Sequence, residues 1–170
     1  MIDSRFKARP DDGRHRGRIE IGDRAPDFEL SGTDGWRFKL SEHRGGWVVI
    51  AFYPGDFTPV CTRRFCSYRD AADHLDDLDA EVIGISPQPV SSHERFTAQH
   101  GLTVPLLADP EHATARAYGL VAADGLVRRT IYIVDPLGTV RYRHVALLGL
   151  RYKDIEHLAA ALSLARGAAA

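Results

Sequence analysis

The sequence predicts an α/β domain: a central mixed β-sheet flanked by helices, with a β-hairpin extension near the N-terminus. Three observations carry this. Short apolar runs rich in β-branched residues recur at Trp47–Tyr53, Glu81–Ser86 and Arg129–Val134, each the length of a strand buried on both faces. Between the first two, Cys61, Phe65, Tyr68, Ala72 and Leu75 follow helical spacing, so the segment is a βαβ unit that closes right-handed into a parallel pair. The third run leads into Asp135-Pro136-Leu137-Gly138 and the alternating stretch Thr139–Val145, an antiparallel hairpin.

Taken in order, Met1 to Arg18 is charged with scarcely an apolar residue, an arm outside the packed domain. The domain proper is expected over residues 19–166. Gly22-Asp23-Arg24-Ala25-Pro26-Asp27-Phe28 leads into the N-terminal hairpin, with a turn over Ser31–Gly35 and a returning strand at Trp36–Leu40. The helix after Cys61 is expected to run to about Asp79, with Asp70, Asp73, Asp76 and Asp77 on its wet side. Ser91–His100 reads as a helix capped by Gly101, Val104–Ala108 as a short extended run, and Glu111–Tyr118 as a helical turn stopped by Gly119. Gly125 turns the loop before Arg129. Ile155, Leu158, Ala159, Leu162 and Ala165 mark a last amphipathic helix, with residues 167–170 as a tail. There is no internal repeat and no sign of a second domain.

The chain has 170 residues, 22 basic against 23 acidic, for a net charge of −1. That balance gives no electrostatic reason to expect nucleic acid or an anionic membrane as a partner. No apolar run approaches the roughly 18 residues of a membrane span, and the first residues lack the apolar core of a signal peptide. A cytoplasmic protein is the expectation. Two cysteines in a reducing compartment point to redox or catalytic use rather than a structural staple. They and eight scattered histidines supply no zinc spacing, so neither a metal nor a cofactor is expected.

Cys61 is where the chemistry concentrates. Pro54-Gly55-Asp56 breaks the strand that precedes it, and Thr58-Pro59 starts a helix, Thr58 as N-cap and Pro59 at the first helical position. Cys61 then falls in the first turn, where unpaired N–H groups and the positive end of the helix dipole favour an anion. A thiol there has its reactive thiolate form stabilised. The competing reading is an inert buried cysteine heading a core stripe. Cys66 lies five residues on, about 140° around the helix and about 8.7 Å away between Cα atoms, beyond the roughly 7 Å that a disulfide spans. If the two pair, the first turns must unwind.

Pro54-x-x-x-Thr58-x-x-Cys61 resembles the active-site motif of the peroxiredoxins, thiol peroxidases on an elaborated thioredoxin-like fold. A second cysteine five positions later is similar to the bacterioferritin-comigratory-protein (PrxQ-like) branch. The resemblance runs from about Ile21 to Arg166 and takes in Gly84-Ile85-Ser86-Pro87 and Pro105-Leu106-Leu107-Ala108-Asp109-Pro110.

The resemblance implies a hydroperoxide substrate, a thioredoxin-like reductant, and a monomer or homodimer. It implies that Cys61 attacks the peroxide and that Cys66 resolves the resulting sulfenic acid as an intramolecular disulfide. Thr58 is an N-cap on any reading, and by the resemblance its hydroxyl also serves the thiolate or the peroxide. Pro54 shields the pocket from water, although the turn alone would explain a proline there. In peroxiredoxins an arginine six residues before an Asp-x-x-Gly turn faces the cysteine. Here that residue is Arg129, with Arg128 the rival by one position. Many relatives carry a glutamate three residues after the reactive cysteine to support this arginine, whereas this chain has Arg64.

Two other functions share these features. A thioredoxin-type disulfide exchanger is weakened by the absence of Cys-x-x-Cys. A redox sensor or holdase, its helix unwinding on Cys61–Cys66 oxidation, uses the same moving part.

Overall fold

The computed structural model describes residues 17–146 and 155–169. Five strands form the central sheet: β3 (Trp47–Phe52), β4 (Ala80–Ser86), β5 (Leu106–Ala108), β6 (Thr130–Val134) and β7 (Val140–Val145), in spatial order β5-β4-β3-β6-β7. β3 pairs parallel with β4, and β4 with β5; β6 runs antiparallel to both β3 and β7. A separate hairpin joins β1 (Glu29–Ser31) to β2 (Arg37–Lys39). The helices are α1 (Pro59–Asp70), α2 (Ala72–Asp76), α3 (Val90–His100), α4 (Ala113–Ala117) and α5 (Ile155–Ala169). The expected mixed sheet, its parallel β3–α1–β4 unit, the late β6–β7 hairpin and the N-terminal hairpin are all present.

Strand alternation divides the core into two layers. Val48, Ile50 and Phe52 of β3 pack with Tyr132 and Val134 of β6, beneath Phe28 and Phe38 of the hairpin region and Ala115 and Tyr118 around α4. Val49 and Tyr53 point the other way, with Ile131 and Ile133, into a layer closed by Cys61, Phe65 and Tyr68 of α1, Phe96 of α3, and Ile155, Leu158 and Leu162 of α5. Gly84 of β4 permits this second layer to close. A Cβ there would lie 2.9 Å from the Phe65 ring and 2.8 Å from Leu106.

Two expectations are corrected. The helix after Cys61 does not continue to Asp79: it breaks at Ala71 (φ −112, ψ 32), and only the short α2 follows. The cause lies in its second half, where Asp73, Asp76 and Asp77 repel at helical spacing and crowd the negative end of the dipole. Leu75 is consequently only half-buried. At the other end, α5 passes through Gly167 to Ala169, so most of the expected tail is helical. The extended run expected at Val104–Ala108 joins the sheet only over Leu106–Ala108, because the Pro105 carbonyl accepts from Gly84 while proline has no N–H to return. The expected arm over residues 1–18 lies outside the described residues except for Gly17 and Arg18, which pass against Gly119.

Candidate active site

β3 ends at Phe52, and the chain turns through Tyr53-Pro54-Gly55-Asp56-Phe57 into α1. Thr58 has extended backbone (φ −72, ψ 143), the N-cap conformation, and its Oγ1 accepts the Cys61 backbone N–H at 3.3 Å with Pro59 at the head of the helix. Cys61 is therefore in the first turn with one of its four orphan donors already capped. Its side chain has no exposed surface, whereas Cys66 is half-buried; both are free thiols. Cys61, Arg64, Phe65 and Tyr68 form the buried face of α1, and Pro54 and Thr58 flank it, Pro54 half-buried in the turn and Thr58 half-buried at the cap.

The two arginines before β6 separate as strand alternation requires. Arg128 is exposed; Arg129 is half-buried, and its Nε is buried without a hydrogen-bond partner. Arg129 has the parity of Ile131 and Ile133, which line the Cys61 layer, and its carbonyl accepts from Ala146 N at 2.9 Å, prolonging the β6–β7 ladder. Arg64 is 2 % exposed, and its Nε and Nη1 have no partner. A buried guanidinium in that condition is costly. Arg64, on the same buried helix face as Cys61, and Arg129, with the parity of Ile131 and Ile133, thus each carry a buried guanidinium nitrogen without a hydrogen-bond partner.

A polar network under the turn had no counterpart in the sequence reading. The Asp56 carboxylate accepts from Tyr53 OH at 2.8 Å and Ser92 Oγ at 2.7 Å, and faces His93 Nδ1 at 2.8 Å. Burial first, then the Asp56 charge, pushes the Tyr53 phenol well above its ordinary range. Phe57, the next residue, has φ 61 and packs its ring against Phe96 with centroids 5.0 Å apart. Asp56 is separated from Ser92 and His93 by 36 residues or more along the chain. The one local signal was two polar residues, Ser92 and His93, on the same buried helical face as Phe96.

The AhpC/TSA family profile matches residues 21–143, most of the chain. The chain belongs to that family, the peroxiredoxins. Among its relatives, peroxiredoxin Bcp of Bacillus subtilis is 45 % identical over 100 residues, covering 59 % of this chain and 64 % of that protein. Putative peroxiredoxin Rv2521 of Mycobacterium tuberculosis is 34 % identical over 131 residues, covering 72 % of this chain and 83 % of that protein. For Bcp and the rice peroxiredoxin Q proteins, the chain spans slightly under two thirds of the relatives' length. Solved peroxiredoxin structures superpose closely. The peroxidoxin BcpB from M. tuberculosis is 29 % identical, with a TM-score of 0.74 over 88 % of this chain and 98 % of that one. The bacterioferritin comigratory protein of Xanthomonas campestris is 28 % identical, with a TM-score of 0.71 over 84 % and 92 %. These relatives put the peroxiredoxin in the Bcp/PrxQ branch. Among the described residues, no helix is long and apolar enough to cross a membrane.

Proposed function

We propose that this peroxiredoxin is a thiol-dependent peroxidase of hydrogen peroxide and organic hydroperoxides, acting in the cytoplasm, with Cys61 as nucleophile and Cys66 as resolving thiol. The observation that carries the reading is the seating of Cys61 in the first turn of α1, its N–H capped by Thr58. Two further supports are the family membership and the alkyl peroxide reduction activity attributed to the X. campestris protein.

The Cys61 thiolate attacks one peroxide oxygen. The O–O bond breaks, its electron pair leaves with the distal oxygen as alkoxide or hydroxide, which takes a proton, and the sulfur becomes a sulfenic acid. The α1 dipole and the Arg129 guanidinium favour the anion and then the charge on the departing oxygen. Thr58 Oγ1 donates its own proton to sulfur or peroxide while accepting from the Cys61 N–H. Pro54 contributes an apolar wall with no N–H to hold water. Since Cys61 has no exposed surface in the closed arrangement, entry of the peroxide requires a displacement at this loop. The Cys66 thiol then gives up its proton and its sulfur attacks the sulfenic sulfur; the S–O bond breaks, the hydroxyl leaves with that proton as water, and an internal disulfide forms. Because an intact α1 holds the two residues too far apart to bridge, this step unwinds the first turns. A thioredoxin-like dithiol returns both sulfurs to thiols.

One equivalent of peroxide added to the reduced protein is expected to give a mass loss of two hydrogens and a Cys61–Cys66 crosslink within one chain, and catalytic peroxide consumption with a dithiol protein. A protein that oxidises once and does not turn over is a sensor, and that result overturns the enzymatic reading.

A further inference from the structure

The buried pair Asp56–His93 takes no part in the chemistry above, yet Asp56 sits two residues from the cap of the Cys61 helix. His93 Nδ1 lies 3.0 and 2.8 Å from the two Asp56 oxygens, and His93 Nε2 lies 3.1 Å from the Leu107 carbonyl oxygen. Both side chains of the pair are fully buried. A carbonyl oxygen only accepts, so Nε2 carries a proton; Nδ1 faces a carboxylate, so a second proton is shared between them. The remaining Asp56 contacts are the Tyr53 and Ser92 hydroxyls. In this way the loop entering α1 is tied to the end of β3, the start of α3 and the middle of β5.

The strained residue of the loop comes next. Phe57 adopts φ 61, a left-handed conformation that strains a non-glycine residue and persists only where the surroundings impose it. Asp56 is bound on one side of it and Thr58 caps α1 on the other, while its ring rests on Phe96 of α3. Release of the Asp56 contacts would free the strain in the direction of unwinding.

We infer that Asp56 and His93 are positioning residues: by clamping the loop to α3 and β5 they hold the first turn of α1 folded, and so set the fate of oxidised Cys61. This rests on the peroxidase reading above. The sulfenic acid has two exits. Attack by the Cys66 thiol forms the S–S bond and releases water. Attack on a second hydroperoxide by the sulfenic sulfur forms the sulfinic acid and releases an alcohol or water. The first exit requires unwinding and the second does not, so the clamp favours the second at high peroxide.

The test compares His93→Gln, whose amide still reaches toward Leu107 but offers no donor to Asp56, with His93→Asn, whose shorter amide takes the place of Nδ1. Asp56→Asn is the second disrupting variant, and Val140→Ala, in the opposite core layer, is the control for lost stability. Amide exchange at Cys61 and the sulfinic-to-disulfide ratio under graded hydrogen peroxide are read by mass spectrometry. In His93→Gln and Asp56→Asn, exchange is expected to speed up on the order of tenfold, the scale of losing one buried contact in a local opening. Their sulfinic fraction should fall about threefold or more, as a modest shift in that opening equilibrium gives, with His93→Asn close to the parent. Unchanged exchange and ratio in both disrupting variants overturn the inference, and so do equal changes in Val140→Ala. If the parent protein consumes no peroxide, the peroxidase reading falls instead, and exchange alone still decides whether the pair holds the loop.

Discussion

Phe52 of β3 pairs with Thr130 of β6 in antiparallel register, and that pairing decides which of two adjacent arginines shares a sheet face with Cys61. Residues of β6 in the Cys61 layer are odd-numbered, Ile131 and Ile133, while Tyr132 and Val134 face the hairpin layer. Arg129 continues the first set and Arg128 the second. The difference in burial follows, with a half-buried Arg129 beside an exposed Arg128.

Removing each arginine should therefore have unequal effects. Arg129→Ala is expected to slow peroxide attack on Cys61 by about two to three orders of magnitude, the usual loss when one positioned donor is taken from a developing anion. Arg128→Ala should change it by about twofold at most, as for an exposed residue away from the reacting atoms. Stopped-flow oxidation of the reduced proteins measures both, and equal losses would refute the assignment of Arg129.

The cysteines separate by step. Cys61→Ser should abolish peroxide consumption while the circular dichroism spectrum stays that of the parent. Cys66→Ser should complete one oxidation and stop, leaving a sulfenic acid on Cys61 that a sulfenic-specific reagent captures. Normal cycling of Cys66→Ser with a thioredoxin-like donor would remove Cys66 from the mechanism.

The layers of the fold and the seating of Cys61 were legible because they depend on local rules: period two in β3 and β6, a Thr-Pro helix start, and a turn that anchors on Asp135. What was not legible depends on contacts between distant segments or on competition within one helix. His93 reads as one more polar residue of α3 until the fold brings Asp56 beside it. Ala71 is an ordinary helix former, and the break there follows from the acidic residues downstream. Gly167 reads as a stop signal, yet α5 passes through it, an interior helix glycine costing only about 1 kcal/mol. Arg64 was visible as a departure from the family pattern, but its complete burial was not.

Arg64 leads to a stability prediction. Its guanidinium is buried with Nε and Nη1 unpartnered; an uncompensated buried charge is costly, and even paired buried ions are often replaced by apolar side chains of similar volume with a change between neutral and about 1–4 kcal/mol of added stability. Arg64→Met should accordingly raise the denaturant midpoint of the reduced protein. It should also slow peroxide attack, since a positive charge one helical turn from Cys61 is lost. A lower midpoint would mean that the guanidinium is satisfied by an anion in solution, and phosphate or chloride titrations of the parent would then reveal it.

The tyrosines predict the response to alkali. Burial pushes Tyr132 up to about 12 from the ordinary 10.0 and Tyr53 and Tyr118 well above it; Tyr142 is raised more modestly, also by burial. An acid kept neutral in the fold releases its proton later than in the unfolded chain, so above pH 10 the unfolded state holds fewer protons than the native one, and stability falls as pH rises. The contribution of these phenols is complete below the unfolded value and is lost as pH climbs through the folded values. Between pH 10.0 and about 12, native protein should show much less phenolate absorbance than the same chain in denaturant, and its urea midpoint should decline steadily over that interval. Tyr53→Phe should weaken that decline while loosening Asp56, whose carboxylate loses its 2.8 Å hydroxyl donor. A native titration that overlays the denatured one would show the phenols to be hydrated, and the two-layer packing around β3 and β6 would have to be redrawn.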